Sequence, residues 1–179
     1  MASSDKAYLR HWNNTDKILS VRKEKRMHTK KELKGLVYHK IMEELDRKIE
    51  VIQEAIASAK DSRNNDTKSS AGDKFETGRE MMQIEIEKNE VLLNQTAKQR
   101  KELARIDVSE EFNRVAFGSL VVTDKGIYFI SIGIGKIQID NQACYAISLA
   151  SPIGGLLKDK AIGDEVSFQG RTFAIKAIL

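Results

Sequence analysis

From Lys31 to about Ser62 the large apolar residues fall on one line: Val37, Ile41, Leu45, Ile49, Ile52, Ile56 and Ala59. Steps of three and four are helical spacing, close to the heptad seam along which helices pair. Between them stand Glu43, Glu44, Asp46, Arg47, Lys48, Glu50 and Glu54, a solvated face, and no proline interrupts. A second stretch, from Lys74 to about Ile106, repeats the pattern with Met82, Ile86, Leu93, Ala97 and Ala104, and Ile84 and Val91 broaden the stripe. Two helices of about 30 residues each would be about 45 Å long. Each stripe is wide enough to bury against one partner and too narrow to be buried all round. The economical arrangement is an antiparallel hairpin with its tip near 62–74. Asn64, Asn65, Asp66 and Gly72 supply turn chemistry. Asp73, with Glu76 three residues on, reads as a capping box for the second helix.

After "IDVSEEFNR" (106–114) the period changes. "VAFGSLVVT" (115–123) reads as a strand ending in an Asp124–Gly126 turn. "IYFISIGIG", "KIQI" and "CYAIS" come next, with a turn at 140–142. "SPIGGLL" (151–157) reads as a short helix capped by Ser151 with Pro152 at its first position. "DEVSF" and "TFAIKAI" flank Gln169–Gly170 as a hairpin. The expected fold is α+β: residues 1–30 a basic leader, 31–108 a helical hairpin, and 113–179 a small β-rich domain.

Charge changes this picture little. Residues 1–32 hold nine Lys/Arg against four Asp/Glu, a charge of +5, so of the total of +4 the remaining chain carries −1. The basic pI belongs to the leader, and is a weak argument for nucleic-acid binding by the body. Met27 is an alternative natural start. One cysteine, Cys144, excludes an internal disulfide framework and a cysteine-based zinc site. It fits a reducing, cytoplasmic setting. No apolar run has the length of a membrane span, and the N-terminal residues lack the apolar core of a signal peptide.

The chemistry of a self-contained enzyme is missing. His11, His28 and His39 all lie far in sequence from Cys144. Cys144 alternates within a strand pattern and reads as a buried structural thiol. "GIGK" (133–136) lacks the spacing of a phosphate loop. That leaves the tip, where Asp61, Asp66, Asp73 and Glu76 gather. Small acidic residues suit any exposed turn. Carboxylates on the end of a long lever also suit Mg²⁺, which keeps several waters and needs only one or two protein ligands.

The segment "YAISLASPIGGLLKDKAIGDEVSFQGRTFAIKAIL" (145–179) resembles the C-terminal domain of the bacterial Gre transcript cleavage factors, a family of transcription elongation factors. The carrying residues are Ile147–Ser148, Ser151–Gly154, Leu157, Lys160 and Gly163–Val166, with "VAFGSLVV" (115–122) similar to the opening strand. The resemblance implies an FKBP-like domain without isomerase activity, which binds RNA polymerase through Ser151, Pro152, Ile153, Gly154, Gly163 and Asp164. It implies a coiled coil that enters the secondary channel. There two tip acids help the polymerase hold Mg²⁺ and water and cut the 3′ end of a backtracked transcript. The factor is an accessory rather than an enzyme, touches nascent RNA only indirectly, and needs no membrane, small-molecule substrate or cofactor of its own. The family's tip places acids at two positions. Asp66 matches the first, and Ser69 stands at the second. Asp73 or Glu76 would then supply the second acid, with Asp66 and Asp73 sharing the Mg²⁺. Alternatively the chain occupies the channel without stimulating cleavage. From other classes come a thiol acyl-transfer enzyme using Cys144, and a purely structural coiled coil.

Overall fold

The computed structural model describes residues 30–65, 72–139 and 142–179. Lys34–Leu179 forms one compact unit. It is mixed α+β: two long helices, α1 (Lys30–Asn65) and α2 (Gly72–Leu103), precede a six-stranded, mostly antiparallel sheet. The tip centre, 66–71, lies outside the described residues.

In α1 the expected stripe faces inward. Val37, Ile41, Leu45, Ile52, Ile56 and Ala59 are buried, and Ile49 is half-buried. In α2 the seam departs from expectation after Leu93. Thr96 and Leu103 take the buried positions, while Ala97 and Ala104 are exposed. Steps of three and four both stay near one helix face, and here the flank carrying Thr96 and Leu103 is the one that packs inward. Thr96 tolerates burial because its hydroxyl donates to the Leu92 carbonyl at 2.8 Å. Ile84 and Val91 do not broaden the seam. They stand 50% and 57% exposed, because Ile84 lies two residues from Ile86 and so almost opposite it on the helix. The helix also starts at Gly72, so Asp73 falls within the first turn rather than at its cap.

Ile52, Ile56 and Ala59 pack with Ile86, Met82 and Leu93. Polar pairs flank this apolar contact. Arg100 reaches both carboxylate oxygens of Asp46, Lys60 Nζ lies 3.3 Å from Glu90, and Arg63 donates to Gln83 at 2.7 Å. Partner numbers rise in α1 as they fall in α2, so the two helices run antiparallel. The guanidinium of Arg100 holds the Asp46 carboxyl below its ordinary range by hydrogen bonding. The Asp46–Arg100 and Lys60–Glu90 pairs are solvent-exposed, and contribute less than the buried apolar seam.

The strands are β1 (Leu120–Thr123), β2 (Ile127–Ile130), β3 (Gly135–Ile139), β4 (Gln142–Ile147), β5 (Glu165–Phe168) and β6 (Arg171–Ile178). Their order is β3-β4-β2-β1-β6-β5. Only β2 and β4 are parallel, with Tyr128 beside Tyr145. Residues 115–119, expected as strand, form a turn in which Ser119 Oγ donates to the Ala116 carbonyl at 2.6 Å. At its end Gly118 has φ +92°, and a Cβ there would press on Ile106 at 3.3 Å and Phe112 at 3.4 Å. The β5–β6 turn is Gln169–Gly170, both with positive φ, the primed geometry that matches strand twist. Both faces of β1 are buried, through Leu120 on one side and Val121 on the other. Val121, Ile130, Phe173, Ile175 and Ile178 form one core, closed by Leu157 and Ile153 of the short helix α3 (Pro152–Leu157) and by Phe112 and Val115.

One buried group ties α1 to the segment that leads into the sheet. Lys34 is 1% exposed. Its Nζ donates to the Glu110 carbonyl at 2.7 Å and sits 4.6 Å from the centre of the Phe112 ring. The loop below is stiffened by Asp107, whose Oδ1 accepts from Ser109 N at 2.8 Å and from Ser109 Oγ at 2.6 Å.

Two outcomes are expected. Lys34→Ala takes this donor from the Glu110 carbonyl and opens space, and should cost about 2–4 kcal/mol in urea unfolding. The second concerns acid. Asp124 Oδ1 accepts the Ala174 N–H at 2.9 Å, which lowers its carboxyl from the ordinary value. A lowered folded pKa contributes stability above the unfolded value of about 3.9, and loses it as pH falls through the folded value. Asp124→Asn should therefore lower the melting temperature somewhat near neutrality, where the charged acceptor contributes, and flatten the acid limb below about pH 4, so that the two profiles converge at low pH.

Candidate functional site

Two regions carry the candidate residues. The first is the far end of the helix pair. Asp66 and Ser69 lie outside the described residues, and so does the side chain of Asp73. Glu76 is exposed, near the start of α2. Asp73 and Glu76 both belong to the first turns of a helix, where the backbone N–H groups favour negative charge whatever else the acids do. From Glu76 to the end of α2 at Leu103 is about 40 Å of helix, so these acids stand far from the sheet.

The second region is α3 and the turn that precedes β5. Ser151 caps α3. Its Oγ accepts from Gly154 N at 3.1 Å and donates to the Ser148 carbonyl at 2.7 Å. Gly154 is buried, and a Cβ on it would lie 2.0 Å from the Ser148 carbonyl oxygen. Ile153 is half-buried against the core. Asp164 Oδ2 accepts from Ala161 N at 2.9 Å, and Gly163, at φ +94°, donates its N–H to Ile175 at 2.9 Å. All six residues thus hold the local fold by cap, first-turn proline, close packing or turn. Of the six, Pro152 and Gly163 are exposed.

Exposed apolar side chains nearby are Leu156, 43% exposed, and Ile162, 59% exposed. Sequence reasoning passes over both. The available signal is a leucine beside Leu157 in so short a helix, since two consecutive helical positions cannot both face the core.

Cys144 lies in β4, 1% exposed, and burial pushes its thiol up to about 12. The thiolate that nucleophilic chemistry needs is scarce at neutral pH in such a setting. His39, among the described residues the one histidine, is exposed on α1 against Tyr38. Tyr128 is flanked by Tyr145 and Phe173, each ring centre 5.7 Å away, and burial raises its phenol from the ordinary value. Among the described residues no group of three His, Cys, Asp or Glu side chains is placed to share a metal ion. Among them too, no helix is long and apolar enough to cross a membrane. Against protein-family models, curated proteins and solved structures, the chain finds no match.

The two kinds of residue around α3 should separate under mutation. Gly154→Ala forces the Ser148 carbonyl away from the helix and should lower the melting temperature by several degrees, consistent with about 1–3 kcal/mol of overpacking. Leu156→Ser with Ile162→Ser should leave it within about a degree or two, because exposed side chains contribute little to folding. Differential scanning calorimetry of the two variants decides this.

Proposed function

We propose that the chain is a Gre-like elongation factor. It binds bacterial RNA polymerase through an FKBP-like C-terminal domain, and its coiled-coil hairpin enters the secondary channel to promote cleavage of backtracked transcripts. The observation that carries this reading is the combination of parts. Two antiparallel helices of 36 and 32 residues stand on a small sheet domain whose short helix begins Ser151–Pro152. Acids at the end of a narrow rod can reach a metal site that a globular protein cannot enter. On this reading Asp66, with Asp73 or Glu76, contributes carboxylate oxygens to an Mg²⁺ shared with the polymerase. The metal would supply water activation there, and the catalytic centre would remain the polymerase's own.

A second reading is favoured by one residue. Ser69 brings no charge to the position where the family has its second acid. A hydroxyl is a poor substitute for a carboxylate at Mg²⁺. The chain would then be a channel-occupying regulator without cleavage activity. An acyl-transfer role for Cys144 has little support, given its burial and its raised thiol.

The test is transcript cleavage in a stalled, backtracked polymerase complex with Mg²⁺, with binding followed in the same samples. The expected result is faster release of 3′ fragments. Asp66→Asn with Asp73→Asn should abolish the acceleration and leave binding within about twofold, since neither acid belongs to the docking domain. Binding without acceleration by the native chain would establish the regulator. Cleavage that survives the double change would sink the tip mechanism. Absence of any binding would sink both readings.

A further inference from the structure

A lysine with 1% of its surface exposed needs a reason, because burying an ammonium is expensive unless it is well bound. Lys34 sits in phase with the apolar stripe of α1, three residues before Val37, at a position where leucine or methionine would be the cheaper occupant. Its Nζ reaches the Glu110 carbonyl at 2.7 Å and the Phe112 ring at 4.6 Å. Both belong to the segment between α2 and β1. Phe112 in turn packs against the sheet core, and lies beside Gly118, where no Cβ intrudes. A hydrogen bond from an ammonium is directional, and a cation over a ring has one favoured seat. An apolar side chain at this position would fill the space and leave the angle soft.

We infer that Lys34 is a positioning residue: its bond to Glu110 and its seat over Phe112 clamp α1 at one angle to the sheet domain, and so set where the far end of the helix pair arrives. The functional consequence rests on the reading of that end as the working tip. The physical lever does not. From Lys34 to Asn65 is about 46 Å of helix, so a tilt of about 5° at the clamp moves the far end by about 4 Å. Misplacement of a catalytic group by about 1 Å can cost about 100-fold in rate. A soft joint would therefore waste a well-made tip.

The experiment measures the angle first and activity second. Spin labels at Glu80→Cys on α2 and Lys176→Cys on β6, both exposed positions, report the angle by electron–electron distance. Labels at Glu54→Cys and Glu80→Cys report the helix pair alone. Cys144 is buried and is replaced by alanine throughout. The otherwise native chain should give one narrow 80–176 distribution. Lys34→Met keeps the aliphatic stem and loses the clamp, so the 80–176 distribution should shift or broaden by several ångströms while the 54–80 distribution stays put. Phe112→Leu, which keeps the lysine and removes the ring, should do the same to a smaller degree, and serves as the test if Lys34→Met does not fold. In the transcript-cleavage assay, Lys34→Met should lose about tenfold or more in rate at saturating factor with polymerase binding retained. Unchanged 80–176 distances in the folded variants overturn the inference, as does a native distribution that is already broad, or a change confined to the 54–80 pair. If the native chain neither binds polymerase nor affects cleavage, the proposed function fails, and the distances still decide the clamp.

Discussion

The buried ammonium of Lys34 is the constraint on which the rest of the molecule leans. An amphipathic helix pair satisfies its own apolar seam, so it places few demands on the remainder of the chain. Ile52, Ile56 and Ala59 need only Met82, Ile86 and Leu93. The sheet domain likewise closes its own core with α3. Two self-satisfied parts joined by a loop would ordinarily move freely. Here a charged donor is held against a loop carbonyl and an aromatic ring. The ring packs on the sheet's core. The bond and the ring seat offset part of the ammonium's desolvation cost, and do so only while the helix, the loop and the ring are in place, which makes the joint selective about geometry.

The same economy explains the short helix of the sheet domain. A helix of six residues is too short to be stable alone. It persists because Ser151 satisfies a free backbone N–H, Pro152 fixes the first dihedral, and Gly154 lets the backbone touch the Ser148 carbonyl. Leu157 then anchors it in the core. The ordered series of residues on which the Gre-like proposal rests is thus largely a folding instruction. Residues that build a local fold identify an architecture well and a binding surface poorly, and surface candidates such as Pro152, Leu156 and Ile162 have to be read from exposure instead.

The helices are legible in the sequence because period and length reinforce each other over more than thirty residues. The α1 stripe from Val37 to Ala59 lies where its spacing puts it. The second helix is harder to read, since Ala97 and Ala104 look apolar while Thr96 looks polar. A threonine that can return its hydroxyl to the preceding turn is as good a seam residue as an alanine one position away. Most strands are visible from their β-branched runs and turns. The stretch at 115–119 is not separable from the strand after it, because Val115 is a core residue without being a strand residue.

What the sequence determined by itself is local and periodic: two amphipathic helices, a capped short helix, a primed turn at Gln169–Gly170 and a β-rich C-terminal part. Each depends on side chains within a few positions of one another. Only the tertiary structure decided the rest. It paired β2 with β4 in parallel across an intervening strand, turned Ile84 and Val91 to solvent, and buried Lys34 against Glu110, 76 positions away. A charged side chain in sequence is read as solvated, and only the loop folded over it reverses that reading.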